Sequence, residues 1–307
     1  MSHSTVLIVG KDPEKQLEPY WELDLSYEEI KEDPRAVFED ETETVKKEFE
    51  KYKEIYSTLE KHNEYFANYL KDKTEDEKVK EWEDGKKTTE SIEAHCEGDG
   101  YTILEDGRIG SYSNPNAKWD WYQLGGRWSG YLMLKDGTRA DQAYKKDIDV
   151  DAMIKRGQDE ASNRYDKMVE VCGIIPIISK WKTYYKKISE TYTRDQAIDD
   201  YHNQAGSKHF HNSLKKLRDT DKEGLRKEVT WYELDDYQCS KDEYIKRHKY
   251  QCFSTFAVLK DNKWYEKGEM GWFGIVSDEK DDWNKSFVKI FDSIDDDQLL
   301  SVYDLHI

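Results

Sequence analysis

Two apolar runs at opposite ends of the sequence, "STVLIVG" from Ser4 and "LLSVYDLHI" from Leu299, constrain this chain more than any other feature. Both are short, rich in aliphatic residues and apolar at consecutive positions, so each reads as a strand that needs burial on two faces. Two such strands are expected side by side in one sheet. That pairing would close residues 1–307 into a single unit.

Between them the strand signal recurs around three similar turns: "TILEDGRIG", "LMLKDGTRA" and "AVLKDNKWY". Asp-Gly and Asp-Asn tolerate positive φ, which makes each a hairpin candidate. The segment "EVTWYEL" reads as a further strand. Helical periodicity falls in two blocks. In the first, Val45, Phe49, Tyr52, Tyr56 and Leu59, then Phe66 and Leu70, form the seam of one long amphipathic helix, an interaction arm within residues 30–95. In the second, Ile154, Ala161, Tyr165, Met168 and Cys172 precede a break at Gly173 and Pro176, within a mainly helical stretch over 147–250. One more amphipathic helix begins near Trp283. The expected class is α+β: a mostly antiparallel sheet containing both terminal strands and several hairpins, with two long helical insertions.

Charged residues make up 37% of the chain, which alone would suit disorder, but 10 Trp and 22 Tyr bury large areas and argue for a compact fold. A net charge of −18 opposes direct nucleic-acid binding and favours basic partners, including proteins that bind the phosphate charge the acidic surface could imitate. No secretory signal is visible in "MSHSTVLIVGKDPEKQ", and no stretch approaches the ~20 apolar residues of a membrane span. No membrane partner is therefore expected. Four scattered cysteines without CxxC spacing point to a reducing cytoplasm and to neither a zinc module nor a disulfide scaffold.

Three clusters carry the candidate chemistry. In "NPNAKWDWYQLGGRWSGYL", Trp119 and Trp121 should share one face of a strand, with Asp120 and Tyr122 on the other. Gly125 and Gly126 then re-aim the chain at Arg127 and Trp128. A guanidinium among indoles can stack and still offer its fork to a carboxylate or phosphate; the competing reading is a core face with Arg127 paired to Asp120 or Asp136. The second cluster, from Trp264 to Trp283, places Glu266 and Glu269 near Trp272, where a general acid or base could sit, or where a glycine-bent edge strand simply turns. In the third, Asp304 and His306 share a strand face, as a dyad or a ligand pair would. His202, His209 and His211 make a looser set. No cofactor or metal is expected, and G-x-S-x-G, H-E-x-x-H, Walker A and G-x-G-x-x-G motifs are absent.

On "SHSTVLIVG", "NPNAKWDWYQLGGRWSGYL", "GEMGWFGIVSDEKDDW" and "LLSVYDLHI", about a fifth of the chain, the sequence resembles a family of uncharacterised proteins found in bacteriophages and some bacterial genomes. The resemblance implies a phage gene product acting in a host cell cytoplasm and no particular reaction. The expectation is a non-catalytic binding protein that antagonises a host protein, with a defence complex as one candidate and a second copy of the chain as another partner. The alternative is an enzyme or sequestering protein that takes a nucleotide-like small molecule at the Trp/Arg cluster.

Overall fold

The computed structural model describes residues 2–189, 191–219, 234–270, 276–280 and 282–306. Instead of the single unit expected over 1–307, the chain divides into two compact units. A sheet unit takes the residues up to Pro13 together with Tyr122–His306, and an inserted unit spans Glu14–Trp121. The class is α+β with mostly antiparallel sheets, as the sequence suggested.

In the sheet unit, the terminal strands His3–Val9 and Leu299–His306 lie side by side, antiparallel, with Thr5 opposite Asp304 and Val9 opposite Leu300. Neither is an edge. His3–Val9 takes Ala257–Lys260 as its other neighbour, in parallel, and Lys263–Glu266 follows. Leu299–His306 is flanked by Gln142–Tyr144 and by the strand Trp121–Leu124, which enters this unit at Tyr122. Central placement explains the unbroken apolar runs, because side chains on both faces of these strands are buried.

Alternation sorts the two faces. Leu7, Val9, Leu300 and Val302 share one core with Phe253 and with Trp283, Phe287 and Phe291 of the helix Trp283–Asp292. Each fully buried aliphatic side chain there contributes about 1.5–3 kcal/mol relative to exposure. His3, Thr5, Asp304 and His306 continue the same face beyond the apolar rows and give it a polar end.

All three hairpins form, but in three different sheets. Only Ala257–Lys260 with Lys263–Glu266 joins the main sheet, turning on Asp261 and Asn262, whose φ values of 54° and 57° are those of a type I′ turn. Leu132–Met133 and Arg139–Ala140 make a separate two-stranded ribbon. Thr102–Ile103 and Ile109–Ser113 build a three-stranded sheet with Val37–Asp40 inside the inserted unit. Turn chemistry set the hairpins locally and left open which sheet each would join.

Within 147–250 the described residues include several helices. The long helix Val150–Cys172 starts at Asp149, whose carboxylate accepts the Ala152 N–H, and ends at Gly173. Its seam meets Ile178, Tyr201, Phe210 and Tyr244 in a second core. Most of "EVTWYEL" lies outside the described residues; Leu234 opens a short 3₁₀ turn to Tyr237.

The inserted unit corrects the expected arm. The seam from Val45 to Leu70 is three helices, Thr42–Ile55, Leu59–Tyr65 and Ala67–Leu70, because Thr58 caps a new helix by accepting the Lys61 N–H. Glu75–Lys87 and Ile92–Asp99 complete a bundle. Phe49, Tyr52 and Tyr56 of the seam are half-buried, whereas Tyr65 and Tyr69 are exposed. Phe49 and Tyr52 lie beside the His95 ring at 5.6 and 6.1 Å, and Tyr56 lies between His62 and Phe66. The Trp82 indole N–H donates to the Tyr56 carbonyl at 2.9 Å. Leu59 is half-buried. A seam long enough for a projecting arm is instead spent on the unit's own interior.

Candidate functional site

The motif around Gly125-Gly126 straddles the boundary between the units, and its two halves have different work. In the inserted unit, buried Asn114 donates to the carbonyls of Pro19 and Trp21 at 2.9 and 2.8 Å. Trp119 is buried, stacks on Trp21 and donates its indole N–H to the Leu17 carbonyl at 3.0 Å. These contacts hold the segment 17–22. The strand begins only at Trp121, so Trp119 and Trp121 do not share a strand face. Trp121 is 50% exposed.

In the sheet unit, the second half wraps two carboxylates. Asp304, only 2% exposed, accepts the Arg127 backbone N–H at 3.0 Å through Oδ2 and meets His3 Nδ1 at 2.7 Å through Oδ1. Asp141 accepts the Gly130 N–H at 2.6 Å and the Ser129 hydroxyl at 3.3 Å. Gly125 and Gly126 have φ of 70° and 50°, and a Cβ on either would occupy the space of a carboxylate, Asp141 for the first and Asp304 for the second. The glycine pair is thus required twice, for its backbone conformation and for the absence of side chains. It makes room for acids and does not serve to aim Arg127.

Arg127 contributes its N–H to this arrangement while its side chain is exposed. Asp136, one of the two carboxylates the sequence offered it, accepts from Thr138 of its own turn. Trp128 packs against the sheet-unit core, as does Tyr131, whose hydroxyl donates to the Ser254 carbonyl at 2.9 Å. Burial pushes the Tyr131 phenol well above its ordinary pKa. Trp119 thus serves the inserted unit and Trp128 the core of the sheet unit.

The Asp304 cluster is the strongest candidate for chemistry. His3 stands opposite His306 in the strand register, and their rings meet edge to face at 4.9 Å. A buried carboxylate on Nδ1 orients an imidazole and leaves Nε2 for proton exchange or a ligand. Asp304 is thus partnered by His3, which the sequence reading missed; the antiparallel pairing of the terminal strands was the signal that placed it there. Among the described residues, no group of three or more His, Cys, Asp or Glu is arranged to hold a metal ion. Of the looser histidine set, His202 in the helix Arg194–Asn203 and His211 in Ala205–Asp219 bring their rings to 5.8 Å, while His209 meets the Cys172 carbonyl through Nε2.

Glu266 accepts the Trp264 indole N–H at 2.8 Å. It lies in the strand row of Ala257, Val6 and Tyr303, on the sheet face opposite Asp304. The second and third clusters therefore do not combine into one site. Glu269 is exposed in the strand Glu269–Met270, and Trp272 lies outside the described residues.

A cavity of about 520 Å³ opens elsewhere in the sheet unit, with Tyr250, Phe253 and Phe291 among its apolar walls. None of the predicted site residues lines it. Of its three lysines, Lys145 turns to the Ile294 carbonyl, Lys135 to the Lys146 carbonyl, and Lys146 lies over the Tyr144 ring. No family model, curated protein or solved structure matches the chain.

Proposed function

We propose that the protein is a phage-encoded, non-catalytic binding protein that antagonises a host factor in the host cytoplasm, with a defence complex as the leading class of target. The observation that supports this reading is where the charge sits. The inserted unit holds 31 acidic against 16 basic residues, a net −15, so it accounts for most of the −18 of the whole chain. Its helices carry exposed acids, among them Glu60, Glu64, Asp76 and Glu83. A field of this kind, confined to one unit, steers a basic partner and can imitate phosphate toward a protein that binds nucleic acid.

The test is affinity capture from host lysate, identification of the captured protein, and reconstitution of the pair from purified components. Raising salt from about 0.05 to 0.5 M shortens the Debye length from roughly 14 to 4 Å, and affinity should fall markedly over that range. A variant carrying Glu60→Gln, Glu64→Gln, Asp76→Asn and Glu83→Gln should bind the same partner at least ~10-fold more weakly. Turnover or tight retention of a nucleotide by the purified protein, with no host protein bound, would overturn the reading.

A further inference from the structure

We infer that the loop 173–180 and the lysines after it form a peripheral docking site for an anionic lipid surface. The loop departs from the rest of the molecule in both exposure and charge. Ile174 is 94% exposed and Ile177 is 88% exposed, while the residues next to them, Ile175 and Ile178, turn into the second core of the sheet unit. The loop is firmly held from beneath. The Gln204 side chain accepts the Ser179 N–H at 2.7 Å and donates to the Ser179 carbonyl at 3.3 Å, and Gln238 donates to the Pro176 carbonyl at 3.1 Å. Gly206 lies so close to Pro176 and Ile178 that a side chain there would collide with them. A built loop thus presents two aliphatic side chains outward, where they add nothing to the fold.

The charge around them reverses that of the chain. Residues 171–189 contain four lysines, no arginine and no acid, in a chain where acids outnumber bases 66 to 48 overall. Lys180, Lys182, Lys186 and Lys187 are all exposed, as is Tyr185 at 60%. Lys180 reaches Asp235 at 3.3 Å and remains largely in solvent. The composition favours lipid over protein as the occupant. Protein interfaces favour arginine and deplete lysine, whereas lysines act as point charges on a fluid layer of anionic headgroups, with long apolar stems that reach along it. Tyrosine beside aliphatic side chains suits the boundary between headgroups and acyl chains. The acidity of the rest of the molecule does not prevent contact, because charges beyond about 8 Å are screened at physiological salt.

No helix among the described residues is long and apolar enough to cross a membrane, so the contact is peripheral. The expectation of no membrane partner rested on spanning segments. Two aliphatic side chains and a lysine cluster require no such length. The inference is independent of the acidic inserted unit.

Co-sedimentation of the full chain with vesicles tests it, comparing phosphatidylcholine alone with phosphatidylcholine mixed with phosphatidylglycerol. The protein should sediment with the mixed vesicles at physiological salt and remain in solution with the zwitterionic ones. Ile174→Ser with Ile177→Ser should weaken association at least ~10-fold, and Lys182→Gln with Lys186→Gln and Lys187→Gln should do the same. Both variants keep Ile175 and Ile178, and unchanged melting would show that they fold. Failure of the unmodified protein to bind either vesicle would overturn the proposal, as would unchanged binding by the isoleucine variant. If the loop variants lose a host protein partner while vesicles are ignored, the loop is a protein contact and the lipid assignment is wrong.

Discussion

The two units achieve their stability in different ways. The sheet unit is close to neutral, with 35 acidic and 32 basic residues, and its central strands are buried on both faces against aromatic and aliphatic side chains. The inserted unit carries a net −15, and its helical bundle surrounds a smaller apolar set that includes Val45, Cys96 and Ile109. It also buries His62 and His95, and the Nε2 of His95 has no hydrogen-bond partner among the described residues. Its helices rely heavily on caps, with the Thr74–Glu77 capping box and the Thr58 and Ser91 caps opening three of them. Self-repulsion and a thin core make it the less stable unit, and the sheet unit should outlast it on heating.

The largest expected effect tests the centre of the sheet unit. Deleting the chain from Leu299 onward removes the strand that pairs with His3–Val9, Gln142–Tyr144 and Trp121–Leu124 at once. The near-UV circular dichroism of the whole sheet unit should be lost; a cooperative transition that survives the deletion would show that the strand is dispensable.

Next in size is the double substitution Phe49→Asp with Tyr56→Asp in the inserted unit. Both rings pack beside buried histidines, so two charges placed there should cost about 4 kcal/mol or more and melt the bundle. The sheet unit's transition should remain in a calorimetric scan. A folded variant with a changed oligomeric mass would restore the projecting arm and remove the contrast between the units.

Asp304→Ala is expected to act within the sheet unit alone. It leaves His3 and the Arg127 N–H without their buried acceptor, at about 2–4 kcal/mol, readable as a lower urea midpoint. Gly126→Ala should destabilise by a comparable amount, because its Cβ meets the same carboxylate. Arg127→Ala should change stability little, since the N–H remains. If Arg127→Ala destabilises as much as Asp304→Ala, the guanidinium is structural after all.

The smallest effect concerns alkaline pH. In the sheet unit, burial pushes the Cys252 thiol up to about 12, aided by Glu160, and the Cys172 thiol up to about 11. Both exceed the ordinary thiol value, so between about pH 9 and those values the unfolded chain releases protons that the folded chain keeps. Stability therefore declines as pH rises through that window. Cys252→Ser with Cys172→Ser should flatten the decline in melting temperature between about pH 8.5 and 10. An equally steep decline in the variant would assign the effect to other groups.

Local pattern was enough to identify much of this fold. The consecutive apolar residues of the terminal strands implied burial on both faces, and the Asp-Gly and Asp-Asn turns implied three hairpins. The period of Ile154, Ala161, Tyr165 and Met168 implied the long helix. Each of these signals acts between residues a few positions apart, where sterics and periodicity decide. The site was less legible. Asp304 and His306 were visible as a same-face pair, but the roles of His3 and Asp141 and the true use of Gly125 and Gly126 were not.

What the sequence determined alone was therefore the class of the fold, the presence of both end strands in one sheet and the acidity of its surface. Tertiary structure decided that the chain would divide at Trp121, that the Val45–Leu70 seam would fold back on itself, and that the glycine pair would admit two carboxylates. The physical reason is that these outcomes depend on partners brought together only by packing. The Arg127 N–H meets a carboxylate 177 positions away, and no local period or turn signal encodes which acid will arrive there.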